Sequence, residues 1–320
     1  MRAAIPLSLL ATALACSLAT TPANARARVF VASYGNDANP CTFGSPCKTF
    51  QQAVNVVDAG GEVTAIDSAG FGPISISKSV TITSPDGVEA GIVPVSGGNA
   101  ITIGAGATAA VELHGLTVDG SGVGMNGVVF NSGGSLTVNN SVVRNFTGNG
   151  ILVQPSSGTV NFTVTNTTVS NSGTVGIQYS PASGGPNANV ILDHVVANAN
   201  VEGGINIDTI NMTACGETNV TIANTIVDVN ESAGIRLFGE ARGQCDPVTA
   251  SIDNVNVSYN TVGVLTGLTP NVLLGRSVIT GNATGINCTS SATTFFSYSN
   301  NQINYNTFDI TGTVNAVATR

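Results

Sequence analysis

The chain has 320 residues, of which 9% are charged, with ten basic against eighteen acidic side chains and a net charge of −8. Globular proteins average ~25% charged residues, so Asn, Ser, Thr, Gly and Val carry much of this surface, and an acidic, basic-poor chain lacks the electrostatic footprint of a nucleic-acid binder. Mean hydropathy is positive, +0.28, yet after residue 25 no apolar run approaches the ~20 residues of a spanning helix. A soluble domain without a transmembrane segment is expected.

Residues 1–25 have the pattern of an export signal: Arg2, an apolar run from Ile5 to Ala19, and the small-x-small site Ala23-Asn24-Ala25. Cleavage near Ala25 leaves nine basic against eighteen acidic residues, net −9, in a secreted or periplasmic protein. Cys16 raises a lipoprotein anchor, but Ala13 stands where such a signal usually has a large aliphatic.

Residues 26–62 are expected to cover the amino end of one domain spanning 26–320. Within SPCKTFQQAVNVVDAGG, Ser45 is the expected helix cap and Pro46 the first helical residue. Phe50, Ala53, Val54 and Val57 make one apolar face, and Gly60-Gly61 stops the helix.

From residue 63 the chain repeats. LTVNNSVVRNFTGNGILV (136–153), FTVTNTTVSNSGTVGIQY (162–179), VILDHVVANANVEGGINI (190–207) and VTIANTIVDVNESAGIRL (220–237) align, as do less regular stretches before and after them. The main column holds Asn140, Asn166, His194, Asn224, Asn254, Arg276 and Asn300. Four and two residues before it stand apolar pairs, from Leu136/Val138 through Val220/Ile222 to Phe296/Tyr298. Three residues after it stand Val143, Val169, Ala197, Val227, Val257, Ile279 and Ile303, and six after it come Asn200, Asn230, Asn260, Asn282 and Asn306. Such alternation specifies short strands with one buried face, and the repeat length suits three strands and three turns per coil.

These columns resemble the right-handed parallel β-helix of the pectate-lyase-like superfamily, across essentially the whole mature chain. The resemblance implies an all-β fold of about nine coils with three strands each, a short N-terminal capping helix, and an asparagine ladder at the bend between the second and third strands. The main column is the expected ladder, because an amide carries both donor and acceptor groups and can bond from coil to coil. His194 then substitutes for an amide in it.

Five cysteines follow the signal. Cys41 and Cys47 flank a short loop and are expected to pair in an oxidising compartment. Cys215 and Cys245 each lie five residues before equivalent positions of adjacent coils, Val220 and Ala250, so they are expected to stack and pair. Cys288 aligns with Ile207 and Leu237 as a buried thiol. The alternative is that all five are reduced.

If Ile205, Ile207, Ile235 and Leu237 point inward, then Gln178, Asn206, Asp208, Arg236 and Phe238 share an outward face suited to substrate binding. Resemblance to pectate lyases makes Arg236 a candidate base and Glu202, Asp228 and Glu231 candidate calcium ligands. Elimination from a uronate needs a cation at the carboxylate and a base near the C5 proton, and an arginine with pKa above 12 serves only in a strongly perturbed site. The competing reading is that Arg236 cross-links coils through Asp208, Glu231 or Glu240 as a surface ion pair worth ~0–1 kcal/mol. Paired aspartates in the polygalacturonase pattern are absent. Lys78 is expected to be a solvated residue between the first strands. The expected partner is a polysaccharide or cell-surface polymer, engaged by a monomer, with calcium as the one candidate cofactor. The alternative is a noncatalytic adhesion module contacting a protein or cell surface.

Overall fold

The computed structural model describes residues 26–239, 248–291 and 293–318. The expected export signal therefore lies outside the described residues, as do Glu240 and Cys245. The chain winds through three parallel sheets of twelve, ten and ten strands, each coil contributing one strand to each sheet. We number these the first, second and third sheets in the order that a coil visits them.

The apolar columns set the winding. Leu136 stands beside Phe162, Phe162 beside Val190, Val190 beside Val220 and Val220 beside Ala250, all in parallel register and all buried. Val143, Val169, Ala197, Val227, Val257 and Ile279 line the second sheet's inner face, and Ile177, Ile205, Ile235 and Val264 line that of the third. Full burial of such a side chain contributes ~1.5–3 kcal/mol, and a one-residue slip would turn a whole strand inside out. That happens locally at the last aligned coil. Val272 pairs with Phe295 and Leu274 with Ser297, so Phe295 is buried while Phe296, the expected core residue, is exposed. Ile303 still pairs with Ile279. The extra residue sits in the corner between them, where the Asn301 amide donates to the carbonyls of Leu274 and Tyr298 and to the Ser297 hydroxyl, each at 2.9 Å.

The buried amide ladder is not the main column. Asn140, Asn166, His194, Asn224, Asn254 and Arg276 have φ between 48° and 53° and exposed side chains. Asparagine recurs there chiefly because it tolerates the left-handed backbone of the tight corner. The buried ladder is the column six residues on. Each amide oxygen takes the preceding coil's backbone N–H and side-chain N–H: Asn200 donates to Asn230 at 3.0 and 3.0 Å, Asn230 to Asn260 at 3.0 and 2.9 Å, and Asn260 to Asn282 at 2.9 and 3.1 Å. Asn282 continues it to Asn306.

A column of strand glycines exists because of this ladder. A Cβ on Gly204 would come within 2.9 Å of the Asn230 amide nitrogen, one on Gly234 within 2.8 Å of that of Asn260, and one on Gly285 within 2.8 Å of that of Asn306. Gly234 is therefore glycine for space inside the strand Ala233–Phe238, not to turn the chain.

At the amino end the helix spans Phe50–Val56 and is capped by Thr49, whose hydroxyl accepts from the Gln52 N–H at 3.1 Å. It starts later than Ser45 and Pro46 because the Asp37 carboxylate takes the backbone N–H groups of Lys48 and Thr49, at 2.8 and 2.9 Å, next to the Cys41–Cys47 disulfide. Phe50 packs on Phe71, ring centres 4.9 Å apart. Lys78 is not merely solvated: its ammonium donates to the Val57 carbonyl at the helix's carboxyl end, where a cation suits the dipole. Cys288 is a buried free thiol. Cys215 is disulfide-bonded, while its expected partner Cys245 lies outside the described residues.

Candidate functional site

The third sheet brings the expected outward residues together. In the strands Val175–Tyr179, Gly203–Asp208 and Ala233–Phe238, Gln178 stands beside Asn206, Asn206 beside Arg236, and Asp208 beside Phe238. Alternation sends Ile205, Ile207, Ile235 and Leu237 inward, each fully buried. The polar row must therefore face out.

Arg236 is held on three sides. Its Nη1 donates to Asp208 Oδ2 at 2.9 Å, and the Asn206 amide oxygen lies 3.5 Å away. Its Cζ lies 4.1 Å from the centre of the Phe238 ring, a stacking contact worth ~0.5–2 kcal/mol depending on desolvation. Phe238 in turn leans over the next coil, where a Cβ on Gly267 would meet its ring at 2.6 Å. Asp208 is fixed from below, Oδ1 accepting the Ile210 N–H at 3.0 Å. The Arg236 and Asp208 side chains retain 31% and 12% exposure, so the pair is only partly screened. The result is a planar cation on an aromatic ring, with the buried Asn206 amide beside it in the previous coil and Leu265 beside it in the next. A guanidinium held by a carboxylate acts as a hydrogen-bond donor rather than as a proton acceptor.

The three expected calcium ligands do not converge. Glu202 and Glu231 are exposed at the corners leading into the third sheet, while Asp228 ends the strand Ile226–Asp228 of the second sheet. Among the described residues no three His, Cys, Asp or Glu side chains are grouped so as to hold a metal. Two solvated glutamates on one corner and an aspartate on the neighbouring sheet do not make the six to eight converging oxygens that calcium takes, so these residues do not fit the ion. Asp228 has a different character. Burial pushes its carboxyl above the ordinary value, and its Oδ1 is buried without a partner, as is the Oδ1 of Asn198 beside it.

Arg236 is one of several arginines bonded back to the previous coil, like Arg144 to Asp119 at 2.9 Å and Arg276 to Asp253. Of the expected cross-links it makes the one to Asp208, and Glu240 lies outside the described residues. His194 bonds its own neighbour, Asp193, at 2.9 Å. Sequence reasoning missed the cation–ring stack, although Arg236-Leu237-Phe238 places both side chains on one face of a strand. It also missed a hydroxyl column beside the first corner, where Thr225 and Ser277 bond the carbonyls of Ala223 and Gly275 at 2.7 and 2.6 Å.

Three parallel sheets, stacked inner columns and an internal amide ladder define a right-handed parallel β-helix. Solved structures of that fold are similar to this chain. An alginate lyase from Paenibacillus sp. str. FPU-7 matches with a TM-score of 0.63 at 14% identity, over 90% of this chain and 99% of that one. The A-module of a mannuronan C-5 epimerase from Azotobacter vinelandii matches with a TM-score of 0.52 at 14% identity, over 81% and 87%. A tailspike protein of Escherichia coli O157:H7 bacteriophage CAB120 matches with a TM-score of 0.50 at 13% identity, over 85% of this chain and 42% of that one. Identities this low establish the shared fold and nothing finer. Neither a family model nor a curated protein matches the chain.

Proposed function

We propose that this is an extracytoplasmic β-helix protein that engages a polysaccharide along the outward face of its third sheet, as a binder rather than a lyase. The observation that carries this reading is the Arg236–Asp208–Phe238 cluster: a cation already stacked and paired, with Asn206 and Gln178 in line beside it. With Asn206 itself buried, such a row offers the Gln178 amide, the Arg236 cation and the Phe238 ring within two coils, about 10 Å along the rod, which suits an extended chain of repeating units.

Two further observations support it. The solved structures similar in fold include an alginate lyase, a mannuronan epimerase and a phage tailspike. The Cys41–Cys47 disulfide fits an oxidising compartment outside the cytoplasm. Elimination chemistry is set aside because Arg236 is committed to Asp208 and the acidic residues nearby do not gather around a cation.

Glycan-array binding by the mature protein tests the proposal, with Arg236→Ala and Phe238→Ala run in parallel. Binding by the wild type, weakened at least tenfold in both variants, is expected. Equal binding by all three would remove this face from the site. Unsaturated product from any uronan, with or without calcium, would restore the lyase.

A further inference from the structure

The corner between the second and third sheets carries a feature that the fold does not ask for. Its tightest residue is left-handed in successive coils, and Asn145, Asn171, Ala199 and Gly281, each small or an amide, occupy it in four of them. Val229, Tyr259 and Tyr305 occupy the same position with φ of 55°, 55° and 59°. A branched or bulky residue is disfavoured there by ~1–2 kcal/mol. None of the three recovers this by burial, for they are 55%, 69% and 88% exposed. Strain without packing gain marks a position held for contact with something else.

The geometry of the tyrosines indicates what that is. A Cβ on Gly281 would lie 2.9 and 3.1 Å from the Tyr259 Cε1 and Cδ1, so the Tyr259 ring lies along the corner over the bare Gly281 coil, toward Tyr305 in the coil beyond. Beside it runs a shallow trough of about 380 Å³, bordered by Val229, Glu231, Thr261 and Ala283. No cation lines this trough, and the one carboxylate on its wall is that of Glu231.

We infer that this corner is a stacking strip for an extended neutral glycan, whose alternate sugar units lie on Tyr259 and Tyr305. Two coils separate the backbone positions of the two tyrosines, about 10 Å at ~4.8 Å per coil, and in an extended chain with a two-fold twist every second sugar presents the same face over a comparable span. Aromatic rings take the C–H face of a sugar while leaving its hydroxyls to polar neighbours, here Glu231 and Thr261. An acidic wall with no counter-cation disfavours uronans, which fixes the charge class. The inference rests on the polysaccharide reading and adds a second contact line beside the Arg236 face.

The test uses the mature protein with cellohexaose, xylohexaose, mannohexaose and an alginate hexamer. Binding is followed by calorimetry and by tyrosine emission, which is unmasked because the chain has five Tyr and no Trp. Tyr259→Asn and Tyr305→Asn install the residue that the backbone prefers, so each is expected to raise Tm while weakening a neutral hexaose at least tenfold. A neutral hexaose bound equally by wild type and both variants would overturn the strip and leave the Arg236 face intact, provided Arg236→Ala binds less. Preference for the alginate hexamer would also overturn it. So would sedimentation showing a wild-type dimer that Tyr259→Asn dissociates, because a second copy would then be the occupant.

Discussion

Truncating Asn260 in the buried ladder tests where the fold draws its internal hydrogen bonding. Its Oδ1 accepts the Asn230 backbone N–H at 3.0 Å and side-chain N–H at 2.9 Å, and its Nδ2 donates to the carbonyls of Val227 and Ser258 at 3.1 and 3.0 Å and to Asn282 Oδ1 at 3.1 Å. Asn260→Ala leaves the Asn230 backbone donor buried without an acceptor, while the Asn230 side chain keeps the Ala197 carbonyl at 3.2 Å. An orphaned buried donor costs ~1–3 kcal/mol, and each further lost bond ~1 kcal/mol; counting the Asn230 side-chain bond and the two Asn260 amide hydrogens, the variant should lose about 4–6 kcal/mol. Asn254→Ala is the control. Its side chain is exposed and donates to Asn224 at 2.7 Å, and alanine at φ 53° adds ~1–2 kcal/mol of backbone strain. Urea unfolding of the protein followed by circular dichroism should therefore place Asn260→Ala well below Asn254→Ala. If Asn254→Ala were the more damaging, the ladder would belong to the first corner, and the buried column would not carry the internal hydrogen bonding.

Gly234→Ala should destabilise by about 2–3 kcal/mol, an overpacking penalty, since its Cβ would press on the Asn260 amide, the Gly263 carbonyl and Val257, each at 2.8 Å; a thermal melt within a degree of wild type would refute this. Asp228→Asn should stabilise at neutral pH. Burial raises the folded carboxyl above its ordinary value of 3.8, so the unfavourable contribution is absent below the unfolded pKa and fully present once pH exceeds the folded one. The Tm gain should be present at pH 7 and vanish near pH 3, and on a half-open side chain it should not exceed about 1 kcal/mol; a gain independent of pH would point to packing instead. Arg236→Lys should change stability by less than about 1 kcal/mol, read by the same melts, while losing the ring stack. A loss of several kcal/mol would mean that the residue serves the fold.

The inner columns were legible because a coil with one buried face leaves a strict alternation, as Val220, Ile222 and Val227 do. The asparagines were harder, since one residue type meets two physical needs. Asn224 is there for a left-handed corner, and Asn230 for amides stacked out of reach of water. Both recur once per coil, so spacing alone does not tell them apart. Gly234 has a meaning that only the following coil's Asn260 supplies. Phe296 was misplaced because one extra residue at the Asn301 corner shifts the strand before it, and a single-residue offset is invisible where both Phe295 and Phe296 are apolar. At the site, the outward row from Gln178 to Arg236 followed from alternation. The side-chain geometry did not: which carboxylate takes the guanidinium depends on coil-to-coil register, and Glu202, Asp228 and Glu231 were grouped on the resemblance to pectate lyases although a corner separates the aspartate from the glutamates.

Hydroxyl-radical footprinting of the protein, with and without the polysaccharide selected on the array, bears most directly on the proposed face. Labelling of Phe238 should fall at saturation, while that of Ile191, 43% exposed on the outer side of the first sheet, should not change. Protection of Ile191 with Phe238 labelled as before would contradict the account.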